Sequence, residues 1–308
     1  MRSLPSRVVI REVGPRDGLQ AEAPLSTSAR ARLIEALSWT GVPKIEAVSF
    51  VSPKAVPAMA DASEVWRQVR ASPSVLYSAL VPNRRGAEAA VEAGGFGSLQ
   101  AFLAASEGYN RKNVGKTVEE SSADVREVVE VAHAAGIPAE VSISAAFGDP
   151  FEGDVPPGRV LEVAKRLADS GADGISLGDT TGMASPTRVW GLVELLREHL
   201  PEVPLNLHFH DTRGTAMANV LAALEAGVAE FDASIGGLGG SPFAPGANGN
   251  LATEDLVLML ADMGIETGVD FGALLEAARL TEELVGHPLS SRAPRSGLRR
   301  PFGGIADA

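Results

Sequence analysis

The feature that most constrains this chain is an alternation, repeated eight times, of a short β-branched run and a longer Ala-, Leu- and Glu-rich stretch of helical period. Short apolar runs bounded by turn residues read as buried strands, and strands separated by amphipathic helices pair in parallel, because parallel neighbours need a crossover connection. The strand candidates are Val8–Glu12, Lys44–Ser49, Val75–Leu80, Leu99–Leu103, Ala139–Ser144, Gly174–Leu177, Leu205–His208 and Glu230–Ser234. Helices are expected after Ser26, Asp61, Asn83, Thr117, Pro157, Ser185, Gly214 and Thr253, with Thr117 and Glu120 forming a capping box. Eight consecutive units favour a closed (β/α)8 TIM barrel over an open doubly wound sheet, and 308 residues hold a barrel plus a C-terminal helical extension, Phe271–Leu284. We therefore expect a TIM-barrel catalytic domain over 1–290 and a Pro-, Arg- and Gly-rich C-terminal tail over 291–308.

Charge narrows the partners. With 39 Asp and Glu against 27 Lys and Arg, the formal net charge of -12 argues against nucleic acid, although a local basic pocket for one phosphate-bearing ligand stays open. The absence of cysteine excludes disulfides, zinc-thiolate sites and thiol catalysis. Met1–Ile10 mixes Arg2 and Arg7 with Pro5 and reads as neither a signal peptide nor a membrane span, so no membrane partner and a cytoplasmic location are expected.

In a TIM barrel the reacting groups sit at the carboxyl ends of the strands. The first strand runs into Gly14-Pro15-Arg16-Asp17-Gly18, a sharp turn whose adjacent charges are either a surface ion pair or groups held over the barrel mouth. The seventh ends in His208-Phe209-His210, and side chains at i and i+2 of an extended segment share a face, close enough to bind one ion. The other histidines, His133, His199 and His287, fall in helices or the tail and receive no role. After the eighth strand, Gly236–Leu251 is rich in glycine, which reads either as plain flexibility or as a lid whose backbone approaches a ligand.

At these residues the chain resembles the hydroxymethylglutaryl-CoA lyases, metal-dependent barrels related to isopropylmalate and homocitrate synthases. The resemblance rests on EVGPRDGLQ (Glu12 to Gln20), Ile45-Glu46 with SFVSP (Ser49 to Pro53), Ala105-Ser106-Glu107, SLGDT (Ser176 to Thr180), HFHDT (His208 to Thr212) and the loop ending GNLATED at Asp255. It implies a divalent ion, Mg²⁺ or Mn²⁺, held by Asp17, His208, His210 and Asn250, with no organic cofactor. It implies an acyl-CoA thioester substrate, most naturally 3-hydroxy-3-methylglutaryl-CoA, cleaved to acetyl-CoA and acetoacetate by a homodimer. Arg16 is then the cation that stabilises the enolate, Asp179 and His208 are the candidate bases, and Glu46 and Gln20 orient Arg16 or line the pocket. Glu254 fixes the loop. The family loop carries Gly-Gly-Cys-Pro with cysteine as the proton donor, whereas this chain has Ser241, a much weaker acid. That difference leaves room for a related substrate such as citramalyl-CoA or a longer-branched hydroxyglutaryl-CoA, or for a catalytically impaired acyl-CoA- and metal-binding paralogue.

Overall fold

The computed structural model describes residues 4–240 and 249–296. Eight parallel strands close a barrel in sequential order. They are β1 (Val9–Glu12), β2 (Lys44–Ser49), β3 (Leu76–Leu80), β4 (Ser98–Ala104), β5 (Ala139–Ser144), β6 (Gly174–Asp179), β7 (Leu205–Phe209) and β8 (Glu230–Ala233). Closure comes from β1 pairing with β8 in the register Val9–Glu230 to Glu12–Ala233. This is the (β/α)8 TIM barrel that the alternation favours over an open sheet.

The helices that cover the strands are α1 (Thr27–Ser38), α2 (Ala62–Gln68), α3 (Arg84–Ala93), α4 (Glu107–Val114), α5 (Val118–Ala134), α6 (Pro157–Asp169), α7 (Pro186–His199), α8 (Ala216–Glu225) and α9 (Thr253–Asp262), followed by α10 (Phe271–Val285) and α11 (Ala293–Ser296). Their starts are set locally. Ser26 accepts from Ala29 N at 3.2 Å, Asn83 from Gly86 N at 3.1 Å, and the Thr117–Glu120 capping box closes in both directions.

Helix α4 departs from the pattern expected of the sequence. Its segment, EGYNRKNV, lacks an apolar stripe, so periodicity gives no sign of it. A buried amide holds it instead: Asn110 accepts from Ala104 N at 2.9 Å and donates to Lys116 O and Thr117 O, each at 2.9 Å. Gly115, at φ 73°, then ends the helix in a left-handed cap.

Most of the core is Leu, Ile, Val and Ala, contributed by the strands and by the inward faces of the helices packed on them. A polar seam nevertheless crosses the barrel interior. Arg11 of β1 is 1% exposed and bonds Asp232 of β8 and Glu140 of β5, the latter at 2.8 Å. Lys44 of β2 joins this seam through Glu140 at 3.6 Å and also donates to Glu230 at 2.6 Å. Such a seam is stable only if each buried charge keeps its partners.

Candidate active site

The turn after β1 is built to lie flat against the end of β8. The amides of Arg16, Asp17 and Gly18 all reach Val13 O, at 3.2, 2.7 and 3.2 Å, which winds the chain into one wide turn. A Cβ on Gly14 would meet Glu12 Oε1 and Ile235 Cγ2 at 2.7 Å, and one on Gly18 would meet Ser234 Oγ at 2.8 Å. Hydrogen at both positions is what lets the turn approach so closely. The turn is also pinned from below: buried Glu12 accepts from Gly14 N at 2.7 Å, Ile235 N at 2.8 Å and Thr253 Oγ1 at 2.6 Å.

This geometry gathers Arg16, Asp17, Gln20 and Glu46 into one cluster. Arg16 donates through Nε to Glu46 Oε1 at 2.5 Å and through Nη1 to Asp17 Oδ1 at 2.7 Å. Gln20 donates to the same Asp17 oxygen at 2.8 Å. The alternative of a loose surface pair is excluded by burial, since the Arg16 side chain is 13% exposed and that of Glu46 5%. Burial opposes the Asp17 charge, but the Arg16 guanidinium, helped by the hydrogen bond from Asn250, outweighs it and holds this carboxyl below its usual range.

His208 and His210 emerge together from β7, their ring centroids 5.1 Å apart. The return leg of the glycine-rich loop is zipped onto the strand ends beside them. Leu251 N donates to Phe209 O at 2.9 Å, Asp211 N to Gly249 O at 3.1 Å, and Ser234 N to Leu251 O at 2.9 Å. That pairing brings Asn250, 40 residues beyond His210 in the sequence, into an antiparallel bridge with it. Asn250 Nδ2 donates to Asp17 Oδ2 at 2.7 Å and Leu238 O at 2.9 Å.

One ligand atom from each of Asp17, His208 and His210 lies within 4.8 Å of the others. Two buried atoms in this nest, His210 Nδ1 and Asn250 Oδ1, have no hydrogen-bond partner among the described residues. An orphaned buried lone pair is costly unless something binds it. Burial, reinforced by His208, pushes His210 down to about 3, so its imidazole is neutral and free to coordinate. The nitrogen and oxygen donor set therefore fits a divalent cation.

Asp179 closes β6. Its Oδ1 accepts from Ala184 N at 2.9 Å, its buried Oδ2 has no partner among the described residues, and burial raises the group to about 7. Glu254, at the start of α9, receives Gly236 N at 3.0 and 2.9 Å and Ser291 Oγ at 3.0 Å, tying the root of the glycine-rich loop to the segment after α10. Ser241 lies outside the described residues.

Three buried charges next to this cluster carry no signal in the sequence reading: Arg11, Glu12 in its anchoring role, and Asp232. Each sits in a strand of four residues, too short for alternation to reveal which charges point inward.

A family model described as HMGL-like matches residues 7–281. The chain belongs to the HMGL-like family. Among HMGL-like relatives it is 46% identical over 289 residues to the hydroxymethylglutaryl-CoA lyase of Bacillus subtilis, covering 94% of this chain and 96% of that one. It is 48% identical over 278 residues to the cytoplasmic 3-hydroxy-3-methylglutaryl-CoA lyase of Danio rerio, covering 89% of this chain and 82% of that one. The barrel superposes on the crystal structure of the Bacillus subtilis HMG-CoA lyase with a TM-score of 0.92 at 45% identity, covering 96% and 99% of the two chains. An HMG-CoA lyase from Acinetobacter baumannii, in complex with coenzyme A and 3-methylmalate, superposes with a TM-score of 0.93 at 40% identity, covering 99% and 100%. No helix among the described residues is long and apolar enough to cross a membrane.

Proposed function

We propose that this chain is a divalent-metal-dependent carbon-carbon lyase that converts 3-hydroxy-3-methylglutaryl-CoA to acetoacetate and acetyl-CoA. The observation that carries the reading is the convergence of Asp17, His208 and His210 on one point, with the Arg16 guanidinium bonded to Asp17 at their edge. Asp17, His208, His210 and Asn250 would hold the ion, with Mg²⁺ or Mn²⁺ suiting a set that mixes imidazole with oxygen donors. When bound, the cation supplies Lewis acidity that makes a substrate hydroxyl easier to deprotonate.

The chain's own groups account for the remaining steps. Asp179, with its free oxygen and its affinity for a proton near neutrality, takes the C3 hydroxyl proton. As that oxygen becomes the ketone of acetoacetate, the C2–C3 bond breaks and its electron pair passes into the thioester as an enolate. Arg16 stabilises the enolate charge, preorganised for the task by Glu46. Protonation of the enolate carbon then gives acetyl-CoA, with Ser241 as donor or relay. Homodimerisation and a cytoplasmic location belong to the same reading.

Ser241 also favours a second reading, in which the same metal and Arg16 serve a related 3-hydroxyacyl-CoA. Acetyl-CoA release from 3-hydroxy-3-methylglutaryl-CoA, measured with Mg²⁺, with Mn²⁺ and with chelator, separates the two. Chelator-sensitive release by the native chain supports the lyase. Release by Ser241→Cys alone points to the related substrate, and none from either protein refutes 3-hydroxy-3-methylglutaryl-CoA as the substrate.

A further inference from the structure

Asp232 belongs to no motif that points to the site, yet it is the most heavily hydrogen-bonded carboxylate next to the metal-ligating cluster. It is 5% exposed and receives Arg11 Nε at 2.7 Å, Arg11 Nη2 at 3.0 Å and Asn206 Nδ2 at 2.6 Å. Its Oδ2 also lies 3.1 Å from His208 Nδ1. A guanidinium and an amide NH₂ can only donate, so both Asp232 oxygens are fixed as acceptors before the histidine is considered. The forked Arg11 contact, itself anchored by Glu140, also fixes the plane of the carboxylate.

From this geometry we infer that Asp232 is a positioning residue that holds the proton of His208 on Nδ1 and turns the Nε2 lone pair toward the metal. The other side of the ring agrees with this assignment. His208 Nε2 lies 4.0 Å from Asp17 Oδ2, too far for a hydrogen bond but consistent with two donors of one ion, which stand about 3 to 4 Å apart at metal-oxygen distances near 2.1 Å. Arg11, Asp232 and His208 thus form a chain running from the barrel interior to its mouth. Such outer partners orient ligating histidines and strengthen their basicity.

The assignment deepens the lyase reading and rests on it, because it also separates the two candidate bases. With Nδ1 committed to Asp232 and Nε2 to the ion, His208 has no nitrogen left to abstract a proton. Asp179 Oδ2, which has no partner among the described residues, is then the candidate base that remains.

The test uses the full chain stripped with chelator. Mn²⁺ is titrated by electron paramagnetic resonance into native protein and Asp232→Asn, and the tautomer of His208 is read in native protein from ¹⁵N-histidine shifts, assigned by their loss in His208→Gln. The expected result is a protonated Nδ1 on His208 and Mn²⁺ affinity about 10- to 100-fold weaker in Asp232→Asn. A native His208 protonated on Nε2 overturns the inference even if the variant does not fold. So does a folded Asp232→Asn that binds Mn²⁺ as the native chain does. Failure of the native chain itself to bind Mn²⁺ refutes the metal reading as well, which distinguishes the two failures.

Discussion

Replacing Arg16 by methionine removes one charge and keeps much of the aliphatic bulk, and the structure predicts separable effects on chemistry, stability and metal binding. For chemistry, the lost group is a preorganised cation, whose removal costs on the order of 10²- to 10³-fold in kcat, or about 3 to 4 kcal/mol of barrier. For stability, the change strips Arg16 from Glu46 and Asp17, at 2.5 and 2.7 Å, in a site whose side chains are between 5% and 13% exposed. Breaking a buried pair by removing one partner costs about 3 to 5 kcal/mol. With an unfolding entropy of about 2.1 cal/mol/K per residue, a chain of this length loses roughly 5 to 8 °C of midpoint when metal-free. For metal binding the sign is opposite, because the Arg16 cation bonded to Asp17 repels the ion and holds part of the charge of the carboxylate that would bind it. Mn²⁺ should bind Arg16→Met at least as tightly as native protein, and saturating Mn²⁺ should restore part of the lost midpoint. Steady-state kinetics, calorimetry with chelator and with Mn²⁺, and Mn²⁺ titration check the three together. Loss of Mn²⁺ binding in a folded variant would refute the arrangement, and a rise in KM with kcat unchanged would show that Arg16 only binds substrate.

Two further changes probe the frame of the site. Burial raises Glu12 and Glu254 each to about 7 from an ordinary 4.5, so over that interval the folded chain holds protons the unfolded chain has released. Their contribution therefore falls as pH rises through this window and levels off above it. In Glu254→Gln the midpoint relative to native should improve from about pH 5 to about pH 7 and then level off by scanning calorimetry, and a constant difference would contradict the shift. Gly14→Ala puts a methyl carbon 2.7 Å from Glu12 Oε1 and Ile235 Cγ2, an overpacking that costs about 1 to 3 kcal/mol and displaces the Arg16–Asp17 turn. A lower midpoint together with weaker Mn²⁺ binding is expected, and native values for both would mean the turn has slack.

The sequence by itself pointed to the barrel, because eight consecutive strand-then-helix units favour closure over an open sheet, and it placed Asp17, His208 and His210 at strand ends where a barrel concentrates its chemistry. Local signals such as the Ser26 cap and the Thr117 box were legible for the same reason: they involve groups a few residues apart. The rest required the closed tertiary structure. Helix α4 is held by Asn110 rather than by an apolar stripe, and Asn250 reaches His210 only because the returning loop pairs with β7. Arg11 meets Asp232, 221 positions away, only because β1 and β8 close the barrel. Periodicity records which face of a segment avoids water. It carries nothing about which charges on different strands face one another across an interior, and that is set by closure and register.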